Sequence, residues 1–172
     1  MIQVAARAGQ STGKGGSPRF AGRRILIIEA RFYDAISDEL AEGAIAEIEA
    51  EGADFTRVSV PGALEIPQVL VAAVAAGRFE GGGGAFDGAV ALGCVIRGET
   101  AHYDVVVDNA NHWLMRVALD NAIPVGNGIL TVDTTEQAHA RSRGGRQGKG
   151  GDAARACFAL IEAAQRFQDE AP

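Results

Sequence analysis

From Arg24 onward the chain alternates short β-branched apolar runs with longer segments whose apolar residues recur at helical spacing, and no other feature constrains the fold as much. The runs at 25–29, 55–60, 87–95 and 123–132 read as strands, several of them apolar enough to be buried on both faces. Segments of helix length between them demand crossover connections rather than hairpins. The expected architecture is therefore α/β, a four-stranded parallel sheet flanked by helices. Between the first two strands Ile36, Leu40, Ala44 and Ile48 repeat every four residues, with Asp38, Glu39, Glu42, Glu47 and Glu49 mostly on the other side. A second helix is predicted over 63–76, ended by Gly77, and a third over 101–121, stopped by Ile123-Pro124. The last helix is predicted from an N-cap at Asp152 through Ala156, Leu160, Ala163 and Phe167. Residues 134–151 hold a short helix and a glycine-broken basic loop. Gly81 to Gly84 read as a flexible surface insertion, because a phosphate loop needs a strand immediately upstream.

The 172 residues, 47% of them hydrophobic, suffice for one core, and 23–172 is expected to form a single domain. Residues 1–22 are rich in glycine, contain no Asp or Glu, and have neither the periodicity to fold nor the apolar core of a signal peptide. A flexible tail is expected there in preference to an organellar transit peptide. Twenty-two acidic against sixteen basic residues give a net charge of -6, which argues against a nucleic-acid partner held by phosphate neutralisation. Any anion site must be a local concentration of cations. No apolar run approaches the ~20 residues of a membrane-spanning helix. Cys94 and Cys157 lie far apart among apolar neighbours and read as reduced core thiols rather than a disulfide or metal site, so a cytoplasmic location is expected.

In an open parallel sheet, ligands bind beyond the carboxyl ends of the strands, so the residues just after each strand carry the information. After the first come Arg31-Phe32-Tyr33, where Phe32 offers a flat apolar face that suits heterocycle stacking and core packing equally. After the second, Pro61-Gly62 turns the chain into a helix whose first N–H groups are free for polar ligand atoms. Glu65 there has an alternative reading as a favourable charge at a helix N-terminus. After the third, Val95 and Ile96 lead through Arg97 and Gly98 into a helix. Gly98 lets the backbone approach an anion to which Glu99, Thr100 and the helix dipole are favourable. His102 follows within one half-turn, and an imidazole gains and loses a proton near neutral pH, as loss of a phosphate group requires. After the fourth strand Arg141, Arg143, Arg146 and Lys149 place four cations in nine residues, either an anion site or a solvated basic face.

Two motifs tie these strand ends together: Gly62-Ala63-Leu64-Glu65-Ile66-Pro67, and the run Ala91-Leu92-Gly93-Cys94-Val95-Ile96-Arg97-Gly98-Glu99-Thr100-Ala101-His102. With Gly128-Ile129-Leu130-Thr131 and Glu136-Gln137-Ala138 in order behind them, the chain resembles the lumazine synthase family from Arg24 to Phe167. The resemblance implies a three-layer flavodoxin-like sandwich. It also implies a transferase of riboflavin biosynthesis, which condenses 5-amino-6-(D-ribitylamino)uracil with 3,4-dihydroxy-2-butanone 4-phosphate and needs no metal or cofactor. Carried over by position, Phe32 stacks on the pyrimidine, Ala63, Leu64 and Glu65 bind the ribityl chain, and Val95 and Ile96 border the ring. Gly98, Glu99 and Thr100 hold the phosphate with Arg141, His102 moves protons, and Lys149 lines the site. The resemblance further implies a homopentamer, or an assembly of pentamers, in which Asn127, Arg141 and Lys149 come from a neighbouring subunit. Asn127 stands where many relatives carry a phenylalanine over the pyrimidine. A flavodoxin-like electron carrier is disfavoured, since Arg31-Phe32-Tyr33 replaces the Ser- and Thr-rich phosphate loop it needs after the first strand.

Overall fold

The four expected parallel strands form, and each is buried from both sides by alternation of its side chains. They are β2 (Arg24–Ala30), β3 (Asp54–Val60), β4 (Gly88–Ile96) and β5 (Val125–Val132), and β1 (Gln3–Arg7) precedes them in a computed structural model that describes residues 3–7, 18–83 and 85–170. The sheet order is β1-β3-β2-β4-β5. Five α-helices accompany it: α1 (Asp34–Ala50), α2 (Ile66–Ala75), α3 (His102–Asp120), α4 (Thr135–Ser142) and α5 (Lys149–Asp169).

Ile25 and Ile27 of β2 and Val90, Leu92 and Cys94 of β4 face a core filled by α1, α4 and α5. Their neighbours Leu26, Ile28, Ala89 and Ala91 face a second core under α2 and α3. The period-2 alternation of strands thus builds three layers from continuous apolar runs. Because the chain steps from β2 to β3 on one side and from β4 to β5 on the other, the strand order reverses beside β2 and β4. A crevice opens at their carboxyl ends for this reason.

Three expectations need correction. Within the stretch expected to be a flexible tail, Gln3–Arg7 pairs antiparallel with β3, Gln3 opposite Ser59 and Arg7 opposite Phe55. The outer edge of β3 offers unpaired backbone groups, and a five-residue segment free of glycine and proline can satisfy them. Phe20 is also buried, its ring 4.3 Å from that of Phe158, while the rest of that expectation, at 8–17, lies outside the described residues.

The last helix starts at Lys149, with Gly148 as its N-cap, rather than from a cap at Asp152. Glycines are poor helix formers, but Gly150 and Gly151 are helical here because α1 and the preceding turn come too close for any side chain. The helix predicted over 63–76 opens as a 3-10 turn, Ala63–Glu65, and becomes α-helical at Ile66, where Pro67 is well placed because its missing N–H has no partner to lose. Gly81, Gly82 and Gly83 form an exposed turn between α2 and β4, and Gly84 lies outside the described residues. Among the described residues no helix is long and apolar enough to cross a membrane.

Candidate active site

The crevice at the carboxyl ends of β2, β3 and β4 holds a cavity of about 260 Å³. Phe32 enters it from the loop after β2, 70% exposed at its rim. The loop is stiff because the Arg31 guanidinium bonds Asp38 at 2.8 Å and Asp34 at 3.0 Å, with the buried Glu29 at 3.6 Å. The turn after β3 supplies Gly62, Ala63, Leu64 and Glu65. A Cβ at Gly62 would come within 3.1 Å of Glu65 Oε2, so the Glu65 carboxylate bends back over the turn and faces the cavity.

The end of β4 supplies Val95 and Ile96, followed by Gly98, Thr100 and His102. A Cβ at Gly98 would meet nothing within 4 Å, so packing does not explain this glycine, whereas close approach of a ligand would. The His102 N–H lies 3.4 Å from Thr100 Oγ1 where the loop becomes α3. Arg97 braces that entry: it stacks on Tyr103 at 4.0 Å, bonds Asp133 at 3.2 Å and reaches Asp104 at 3.3 Å.

Five lining residues fall outside the expected site set: Tyr33, Gly62, Cys94, Tyr103 and Val106. A signal existed for one of them, since Val106 stands four residues after His102 and so on the same helical face. Cys94 pointed to the core in the sequence, and burial pushes its thiol up to about 11, which removes it as a nucleophile near neutral pH. Among the described residues no group of three His, Cys, Asp or Glu side chains is placed to hold a metal.

Of the remaining expected site residues, Glu99 is exposed but does not line this cavity. Asn127 and Lys149 line a different one, of about 300 Å³, between β5 and the start of α5. Asn127 Nδ2 donates to Asn111 Oδ1 at 2.7 Å, and its own Oδ1 accepts from the Ile129 N–H at 3.0 Å. Arg141 lies on the exposed side of α4 and donates to the Gln137 carbonyl at 3.0 Å. One copy of the chain therefore splits the expected residues between two places.

The basic stretch is far less basic than its sequence. Arg143 bonds Glu39 at 2.9 Å, Arg146 bonds the buried Glu47 at 2.7 Å, and Lys149 bonds Asp152 at 2.8 Å. Only Arg141 of the four has no carboxylate partner among the described residues. Burial would raise the pKa of Glu39, but hydrogen bonds from Ser142, His139 and Arg143 outweigh it and hold the carboxyl down to about 2 from 4.5. A carboxylate depressed in this way stabilises the fold above its unfolded value and stops doing so as pH falls through its folded value. Stability should accordingly decline by about 2 kcal/mol as the pH falls from 4.5 toward 2. Urea midpoints across this range should fall less steeply in Glu39→Gln, whose amide does not titrate.

The model of the family described as 6,7-dimethyl-8-ribityllumazine synthase matches residues 22–165. A protein of that name from Methylobacterium radiotolerans is 49% identical over 168 residues, covering 98% of each chain. One from Methylorubrum populi is 53% identical over 141 residues, covering 82% of each, and 6,7-dimethyl-8-ribityllumazine synthase 1 of Rhodopseudomonas palustris is 49% identical over 147 residues, covering 86% of this chain and 89% of its own.

Proposed function

We propose the following division of roles on the premise that this chain belongs to the 6,7-dimethyl-8-ribityllumazine synthase family. The chain is an enzyme of riboflavin biosynthesis, a transferase that joins 5-amino-6-(D-ribitylamino)uracil to 3,4-dihydroxy-2-butanone 4-phosphate, releasing phosphate and water. Amine attack on a ketone and loss of phosphate call for positioning, an anion cradle and one acid-base group. Phe32 stacks on the pyrimidine, Ala63, Leu64 and Glu65 receive the ribityl chain, and Val95 and Ile96 border the ring. Gly98, Glu99 and Thr100 cradle the phosphate, and His102 carries protons between the reacting groups. The imine forms between the two substrates, so no lysine nucleophile is needed. The observation that carries this reading is the single cavity into which three separate strand ends deliver Phe32, Glu65, Thr100 and His102.

Arg141 and Lys149 complete the site from a neighbouring copy in a homopentamer, with Asn127 beside them. The separation of the two cavities supports this, because among the described residues no Lys or Arg lines the cavity, and a phosphate there calls for a cation from outside. The exposed apolar groove of Val71, Val105 and Trp113 between α2 and α3 supports subunit contact, since isolated apolar patches of this kind mark interfaces. The free thiols of Cys94 and Cys157 accord with a cytoplasmic location.

Mixing tests the shared site. His102→Ala and Arg141→Ala proteins, each impaired alone, should regain up to about a quarter of parental activity when unfolded and reassembled together, as random cyclic assembly reunites both intact groups at that share of interfaces. Lumazine formation is followed by absorbance and fluorescence, and sedimentation gives the subunit number. No gain on mixing would place the site within one chain.

A further inference from the structure

We infer that Glu39, on α1 and outside both cavities, is a positioning residue that aims Arg141 at the phosphate of the substrate. The inference rests on the reading of Arg141 as a phosphate ligand given above. Helix α4 has eight residues, too few to hold its own orientation in water, so tertiary contacts must set how it is rolled about its axis. Besides the fully buried Ala138, one carboxylate does so. Glu39 receives His139 Nδ1 at 2.9 Å, Arg143 Nε at 2.9 Å and the Ser142 hydroxyl.

Residues 139, 142 and 143 stand at spacings of three and four, which is one face of the helix, and Ser142 is fully buried there. At about 3.6 residues per turn, Arg141 falls on the opposite side and is turned outward. Its link to the Gln137 carbonyl uses NH1 alone, which leaves NH2 and Nε for a bidentate approach to a phosphate. The same Glu39 carboxylate neutralises Arg143, the nearest competing cation, so the anion meets one presented guanidinium instead of a diffuse basic loop. Together with Glu47, which takes up Arg146, α1 thereby ties down Arg143 and Arg146 and leaves Arg141 for the ligand.

The test is a double-mutant cycle on the assembled enzyme. Glu39→Ala should raise KM for the butanone phosphate about fivefold, in line with the loss of a charge-assisted contact, with kcat at saturation and KM for the aminouracil changed less than about twofold. Inorganic phosphate should inhibit correspondingly less. Within an Arg141→Ala background the Glu39 substitution should add almost nothing, because residues acting as one unit are not additive. Should Glu39→Ala fail to assemble by sedimentation, Glu39→Gln, which keeps an acceptor for Ser142, carries the same comparison. An Arg141→Ala enzyme with unaltered KM for the phosphorylated substrate overturns both the phosphate reading and this inference. A raised KM in Arg141→Ala, combined with no effect of Glu39 or with the same factor in both backgrounds, overturns the inference alone.

Discussion

Replacing Gly150 by alanine should lower the stability of this protein by about 3 kcal/mol or more, at the upper end of what overpacking costs. A Cβ at that position would stand 1.9 Å from the Leu40 carbonyl oxygen and 3.1 Å from the Ala44 nitrogen, both backbone atoms of α1. Ordinary contact begins near 3.4 Å, so the two helices would have to part by roughly 1.5 Å. Neither helix has that freedom. Leu40, Ala44 and Ile48 are fully buried against the sheet, and Ala154, Cys157 and Phe158 anchor the same face of α5 in the same core. Alanine's helix propensity exceeds glycine's by about 1 kcal/mol in a helix interior and by less in a first turn, too little to offset the separation. The variant also moves Lys149 and its partner Asp152, since both stand in the same turn of α5. Urea unfolding should register the loss as a lower midpoint. A midpoint unchanged from the parent would mean that Gly150 does not set the spacing of α1 and α5.

His102→Ala should reduce kcat by about one to two orders of magnitude, the lower part of the range for an acid-base group. The side chain stands at the first residue of α3 on the wall of the cavity, next to the loop proposed to cradle the phosphate. Its proposed work is to carry protons as water and phosphate depart. Water reaches this exposed position and takes over part of the transfer, which keeps the loss below that of a sealed site. Binding should change little, because the cavity contacts of Phe32, Leu64 and Glu65 remain. The check is lumazine formation with the uncatalysed reaction subtracted, beside a direct titration of product. Turnover equal to the parent would remove His102 from the chemistry, and a loss of affinity as large as the loss of turnover would make it a binding residue instead.

The architecture was legible in the chain because it depends on local patterns. Continuous apolar runs at 25–29 and 87–95 marked β2 and β4, and residues that directly follow β2, β3 and β4 line the crevice, because a strand end and the turn that follows it are neighbours in sequence as well as in space. The motif from Ala91 to His102 is contiguous, so it could be recognised before any fold was drawn.

What only the tertiary structure decided lies where partners are far apart along the chain. Glu39 and Glu47 meet Arg143 and Arg146 across about a hundred residues, and with Asp152 beside Lys149 they leave Arg141 as the one cation of the four without a carboxylate partner among the described residues. The helical state of Gly150 and Gly151 contradicts their local propensity and follows from the approach of α1 to the first and of the Arg146 backbone to the second. The pairing of Gln3–Arg7 with β3 likewise depends on an edge that exists only once the sheet is built. Local pattern determined the elements and the crevice of this protein; burial and long-range pairing decided its helix spacing and which of its charges face outward, because both depend on the distance between atoms that sequence separation does not encode.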